Sequence, residues 1–183
     1  AGELAIAEIM RALVDARAAG VPVIGLIGGR AGCYGGGGLL AACCSALAVS
    51  EQGRISVSGP EVIETNRGVE EFDSKDRALI WRTMGGKHRR LIGGADRYVA
   101  DTPDAFRAAA LDLIDRAPTF DAAMLRAEQA RLDARVERFG GCNDALDVWR
   151  MLGADAPEAI PGMPDQEFAK LADQLQEPRH DAR

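Results

Sequence analysis

Residues 21–63, VPVIGLIGGRAGCYGGGGLLAACCSALAVSEQGRISVSGPEVI, decide how this chain is read. Val21 to Ile27 is a short apolar run rich in branched residues, the pattern of a strand buried on both faces of a parallel sheet. Gly28 and Gly29 close it, and Arg30 to Tyr34 lead as a loop into the glycines Gly35, Gly36, Gly37 and Gly38. Leu39 to Val49 is almost wholly apolar and reads as a buried helix. Arg54 to Ser58 reads as a second strand. Upstream, Ile6, Ile9, Met10, Leu13 and Val14 recur at helical spacing, so Glu3 to Ala19 is an amphipathic helix that Gly20 and Pro22 terminate. Helix, strand, glycine turn, helix, strand is an α/β order with crossover connections.

Working outward to the C-terminus, Gly59 to Asp73 is polar and reads as loop. Ser74 is a suitable N-cap for a helix over 75–84, which Gly85 and Gly86 end. A basic cluster follows, Lys87, His88, Arg89 and Arg90. Helices are expected over 104–116, 120–139 and 143–152. Residues 154–164 carry three prolines and read as a linker or arm before a last, weakly patterned helix over 165–175. The expected organisation is a core over 1–116 and a C-terminal helical extension over 117–183, with no internal repeat.

The 183 residues suffice for one domain with a sizeable core. Net charge −6 argues against nucleic acid as a partner, because phosphate binding brings a basic surface. No apolar run reaches the roughly 18 residues that a membrane span requires. The cysteines Cys33, Cys43, Cys44 and Cys142 form no CxxC pair, and with only two histidines a zinc site is not expected. Small buried thiols and a reducing cytoplasm fit better than a disulfide framework. The chain opens on Ala1 within a helical pattern, so an N-terminal portion is expected to precede it.

Consecutive glycines are costly in backbone entropy and need a reason. A P-loop would require GxxxxGK[ST], which is absent. Gly36, Gly38 and Ala41 make a GxGxxA with Glu61 downstream, but seven residues separate Ile27 from Gly35, whereas the dinucleotide fingerprint follows its strand directly. No GxSxG elbow is present. Two readings remain level on spacing alone. The glycines let a helix pack closely on the sheet, or they expose helix N-terminal N–H groups as part of an oxyanion hole.

A resemblance separates them. The strand, GGG turn, helix, strand and GPEVI order of residues 21–63 resembles the crotonase superfamily, especially its carboxyltransferase branch. GPEVIE at 59–64, GVEEFDSKDRALIWRTMGGKHR at 68–89 and LIGGADRYV at 91–99 closely resemble the β-subunit family of malonate decarboxylase, over about residues 1–114. The resemblance implies an α/β ClpP/crotonase spiral of ββα units with peripheral C-terminal helices. It implies decarboxylation of a malonyl thioester to an acetyl thioester through an enolate, without metal and without a directly bound cofactor. The substrate would ride on a dephospho-CoA-derived prosthetic group of an acyl carrier protein subunit, with CoA as its analogue. The implied partners are a γ subunit, that carrier and an acyl-transferase subunit in a cytoplasmic hetero-oligomer, with no membrane or nucleic acid.

By the same resemblance the middle glycine of GGG falls on Gly36, whose N–H is the oxyanion donor, while Gly35 and Gly37 shape the turn. The second donor belongs to an earlier strand outside this sequence. Glu61 stands where some crotonases carry a catalytic glutamate, and the first hydratase glutamate would fall near Leu39, where it is absent. That departure argues against hydratase chemistry, which needs two carboxylates. Glu61 would position water or protonate the enolate, or simply bond nearby backbone. Tyr34 would contact the malonyl carboxylate or donate a proton, or simply pack. Lys87, His88, Arg89 and Arg90 would bind the carrier's phosphates or acidic surface, or form a solvated turn. Cys33, near the helix start, is either a thiol of lowered pKa or a packing residue. The alternatives are a carboxyltransferase subunit of a biotin-dependent enzyme and a non-catalytic partner subunit.

Overall fold

Helix α1, Gly2–Ala18, opens the computed structural model, which describes residues 2–175. It stops in a Schellman motif: Gly20 has φ +82°, its N–H donates to Arg17 O at 3.0 Å, and Val21 N–H donates to Ala16 O at 2.9 Å. Strands β1 (Ile24–Ile27), β2 (Ala46–Val49) and β3 (Arg97–Tyr98) form one parallel sheet in that spatial order. Ile24 pairs with Ala46, and Ala48 with Arg97.

The central strand is β2, and all four of its residues are buried. Strand β1 lies at the edge and leaves Leu26 48% exposed, so the strand buried on both faces is β2 and not the Val21 to Ile27 run. The single apolar stretch 39–49, read as one helix, divides in two. Helix α2, Gly36–Ala42, ends at Cys43, and the remainder becomes β2. The break falls at Ser45, whose N–H donates to Val23 O at 2.7 Å and whose Oγ accepts from Val23 N–H at 3.0 Å. A continuous apolar run suits a buried helix and a central parallel strand equally well.

Residues 54–58 make no strand; they contribute only isolated bridges, Cys33 with Ile55 and Arg54 with Gly85. The stretch read as loop contains helix α3, Pro60–Arg67, with Pro60 in its first turn and Glu61 beside it, both favoured there. Helix α4, Arg77–Met84, is capped by Asp76, whose side chain accepts from Leu79 N–H at 3.0 Å. Ser74, the expected cap, instead donates its N–H to Glu64 Oε2 at 2.8 Å. The basic cluster continues directly into helix α5, Gly86–Leu91.

Helices α6 (Pro103–Asp115), α7 (Ala122–Phe139) and α8 (Ala145–Met151), a 3-10 turn (Pro157–Gly162) and α9 (Asp165–Leu175) complete the described chain. Helix α7 has no buried residue. The segment read as an arm is core: Trp149, Ile160, Phe168 and Ala172 share one apolar cluster with Ile27, Leu47, Val49, Leu91 and Tyr98. The main apolar cluster thus draws residues from both sides of residue 116. The three prolines look like linker punctuation in sequence, yet Pro157 and Ile160 are buried. A second cluster joins α6 to β2, and a third gathers Phe72, Ile80 and Met84 around Tyr34.

Candidate active site

The glycine turn is held by a short ladder. Cys33 N–H donates to Arg54 O at 2.7 Å, Ser56 N–H to Cys33 O at 3.2 Å, and Gly35 N–H to Val57 O at 3.0 Å. These bonds lay residues 33–35 along 54–57 and bring the start of α2 next to the start of α3. Gly35 sits at φ +58°, a region that disfavours a side chain. A Cβ on Gly38 would overlap the Ser56 carbonyl oxygen, and one on Gly36 would overlap Ile6 Cδ1 of α1. Backbone conformation thus calls for glycine at 35 and packing for glycine at 38, while a side chain at 36 would need the end of Ile6 to shift.

Packing does not use every N–H. Gly37 N–H donates to Tyr34 O at 3.1 Å and Leu39 N–H to Gly35 O at 3.2 Å, whereas the N–H groups of Gly36 and Gly38 meet no acceptor among the described residues. Gly36 is the first residue of α2, where an unpaired N–H is inherent to the helix and carries its partial positive charge.

Tyr34 and Glu61 border Gly59. A Cβ there would lie 3.5 Å from Tyr34 Cδ2 and 3.6 Å from Glu61 Oε2, at ordinary van der Waals distance, so both side chains border this position. The Tyr34 hydroxyl is buried and has no hydrogen-bond partner among the described residues. Burial pushes its pKa up; Arg54 opposes the rise and Glu61 adds to it. Glu61 is exposed on the first turn of α3, and its backbone carbonyl accepts from Thr65 Oγ1 at 2.7 Å. Burial raises the Cys33 thiol as well, so the helix start does not activate it and it serves as packing.

The basic cluster faces elsewhere. Lys87 Nζ donates to Pro161 O at 3.0 Å and Met163 O at 2.7 Å, and lies 3.8 Å from Glu51. Its ammonium is buried, which lowers its pKa against the pull of Glu51 and Asp165. His88 Nδ1 accepts from Trp149 Nε1 at 3.2 Å, and burial, reinforced by Arg89 and Arg135, pushes its pKa down to about 3. Arg89 donates to Thr83 O, and Arg90, 4% exposed, reaches Asp173 at 2.9 Å. Of the residues singled out in the sequence, the fold brings Tyr34, Gly35, Gly36, Gly37 and Glu61 together, while Lys87 and Arg90 turn toward the C-terminal segment. Arg54 escaped the sequence reading. Its guanidinium stacks on Trp81 at 4.5 Å and acts electrostatically on Tyr34. An arginine on an irregular loop leaves no periodic signal that would have marked it.

A parallel sheet feeding a glycine turn with open helix N–H groups agrees with the carboxyltransferase-type crotonase resemblance of residues 21–63. The chain's sequence and structure relate it to the carboxyltransferase-like subunits of malonate decarboxylase. Malonyl-S-ACP:biotin-protein carboxyltransferase MADC of Malonomonas rubra is 36% identical over 185 residues, covering 96% of this chain and 57% of the relative. Superposition on the malonate decarboxylase hetero-tetramer of Pseudomonas in complex with malonate gives a TM-score of 0.70 at 35% identity, covering 82% of this chain and 54% of that chain. The Pseudomonas MdcD-MdcE hetero-dimer gives 0.58 at 32% identity, covering 76% and 54%. No family model matches the chain. The chain thus spans little more than half the length of these relatives. Among the described residues, no helix is long and apolar enough to cross a membrane, and no group of three or more His, Cys, Asp or Glu side chains is arranged to hold a metal ion.

Proposed function

We propose that this chain is the carboxyltransferase-like subunit of a biotin-independent malonate decarboxylase and works on a malonyl thioester carried by an acyl carrier protein. The observation that carries this reading is the unpartnered N–H of Gly36 at the start of α2. In the reaction the bond between the carboxylate and the α-carbon breaks and CO2 leaves. The electron pair moves into the thioester carbonyl, giving an enolate, and a proton then adds to the α-carbon to give the acetyl thioester. Negative charge grows on the carbonyl oxygen only as that bond breaks, so a fixed N–H aimed at it stabilises the transition state more than the ground state. One such donor is worth about 2.7–4 kcal/mol. Tyr34 and Glu61, which both border Gly59, would deliver the proton in this reading. A γ subunit, the carrier with its dephospho-CoA-derived group and an acyl-transferase subunit complete the complex, in the cytoplasm.

The relative named as a biotin-protein carboxyltransferase supports a second reading, in which the released carboxyl group passes to biotin. Mass spectrometry of the co-purified small carrier separates the two: a CoA-like prosthetic group supports the first, and a biotinylated lysine the second. The donor itself is tested in the reconstituted complex by Gly36→Pro, which deletes the N–H at a helix position that tolerates proline. Because any Cβ there meets Ile6, the substitution is made together with Ile6→Ala and compared with Ile6→Ala/Gly36→Ala, which keeps the N–H.

A further inference from the structure

A well-formed cavity lies away from the glycine turn. It encloses about 360 Å3 between α4, α5, Trp149 and Pro161, within the size range of small-molecule sites, and its walls are mostly apolar. Trp81 and Trp149 supply aromatic surface, and Ala78, on the first turn of α4, leaves the space open.

Four charged groups border this cavity, and three are committed. Arg82 forks onto Asp144 through Nε at 3.3 Å and Nη2 at 3.2 Å. Lys87 spends its ammonium on the carbonyls of Pro161 and Met163 and lies 3.8 Å from Glu51, which commits that carboxylate as well. Arg77 remains. It is exposed, it makes no ion pair among the described residues, and its guanidinium is stacked 4.3 Å from the Trp81 ring centroid. Stacking fixes the plane of a guanidinium and leaves its in-plane N–H donors directed outward, the arrangement that grips a carboxylate, sulfonate or phosphate.

We propose that this cavity binds a small amphiphilic anion, its apolar body between Trp81 and Trp149 and its anionic group on Arg77. The site is separate from the glycine turn and does not depend on the reaction proposed there. A neutral apolar molecule would fill the same walls without using Arg77, and an inorganic anion would meet Arg77 without filling the walls, so the pairing of the two features selects the class.

The test uses 8-anilinonaphthalene-1-sulfonate, an apolar anion, and N-phenyl-1-naphthylamine, its uncharged analogue, titrated into the purified complex with energy transfer from tryptophan as the signal. The expected result is saturable binding of the sulfonate. Arg77→Gln should weaken it about three- to tenfold, the scale of one exposed charge-assisted contact, and leave the neutral analogue unchanged. Ala78→Trp, on an exposed helix position, should fill the cavity and abolish binding of both probes. Non-saturable binding, equal loss of both probes in Arg77→Gln, or unchanged binding in Ala78→Trp would overturn the proposal.

Discussion

Replacing Phe168 by Ala tests whether the C-terminal segment is part of the core. Phe168 is fully buried on α9, and its ring meets Tyr98 edge-on, with centroids 4.5 Å apart at 66°. The Lys87 ammonium lies 5.7 Å from the same ring, and Tyr98 donates its hydroxyl to Asp165 at 2.6 Å. Truncating a buried phenylalanine costs about 3–5 kcal/mol in lost transfer energy and residual cavity. For a chain of this size each kcal/mol moves Tm by about 2–4 °C, so the expected fall is about 6–20 °C. Thermal unfolding followed by Trp149 fluorescence reads it, because Trp149 belongs to the same cluster. Val136→Ala on α7, where Val136 is 72% exposed, is the matched control and should stay within about 0.5 kcal/mol of wild type. A fall below about 2 °C for Phe168→Ala would mean that α9 is an appendage and does not belong to the apolar cluster around Trp149.

Tyr34→Phe removes a buried hydroxyl that has no partner, so stability should hold or rise by up to about 1 kcal/mol while decarboxylation slows; a destabilised variant with full activity would refute the role given to Tyr34. His88 is neutral in the fold with its pKa near 3, whereas the unfolded chain takes up that proton near 6.5. The unfolded state therefore binds more protons between those values, and stability should fall as pH drops from about 6.5 toward 3; urea titrations of wild type and His88→Gln should differ in slope across that window and agree above it. Arg89→Ala/Arg90→Ala should lower Tm, because Arg90 holds Asp173 of α9, and should leave the apparent carrier affinity at low salt unchanged. Gly38→Ala forces a Cβ into the Ser56 carbonyl and should destabilise the fold more than Gly37→Ala, whose Cβ would meet only the Cys33 sulfur at 3.3 Å.

What could be read in advance follows the physics of each segment. Helical periodicity located α1, α6, α7, α8 and α9 to within a few residues, because apolar residues recur at helical spacing even in α1 and α7, where none is fully buried. The run 39–49 carried no such pattern: a buried helix turn and a central strand are both uniformly apolar, and only the small polar Ser45 marks the junction. Pro60 followed by Glu61 was a helix-start signal that the surrounding polarity of 59–73 concealed. The basic run 87–90 misled in another way. Four charges in sequence normally mean solvent, but here Lys87 and Arg90 are buried against carbonyls and a carboxylate more than 70 residues away, which no local rule anticipates. The turn was legible as the approach to a helix, with close packing and open N–H groups level until the resemblance favoured the second. Its convergence with Tyr34 and Glu61 was not, since it depends on the ladder between 33–35 and 54–57.

In the proposed reaction a single N–H of this chain, that of Gly36, meets the charge growing on the thioester oxygen. The most direct measurement compares kcat for malonyl-thioester decarboxylation in complexes carrying Ile6→Ala/Gly36→Ala and Ile6→Ala/Gly36→Pro, after both are shown to assemble alike. Loss of one oxyanion donor predicts that the proline complex is slower by about 10²- to 10³-fold. Equal rates in the two complexes would contradict the assignment of Gly36 and return the four glycines to packing alone.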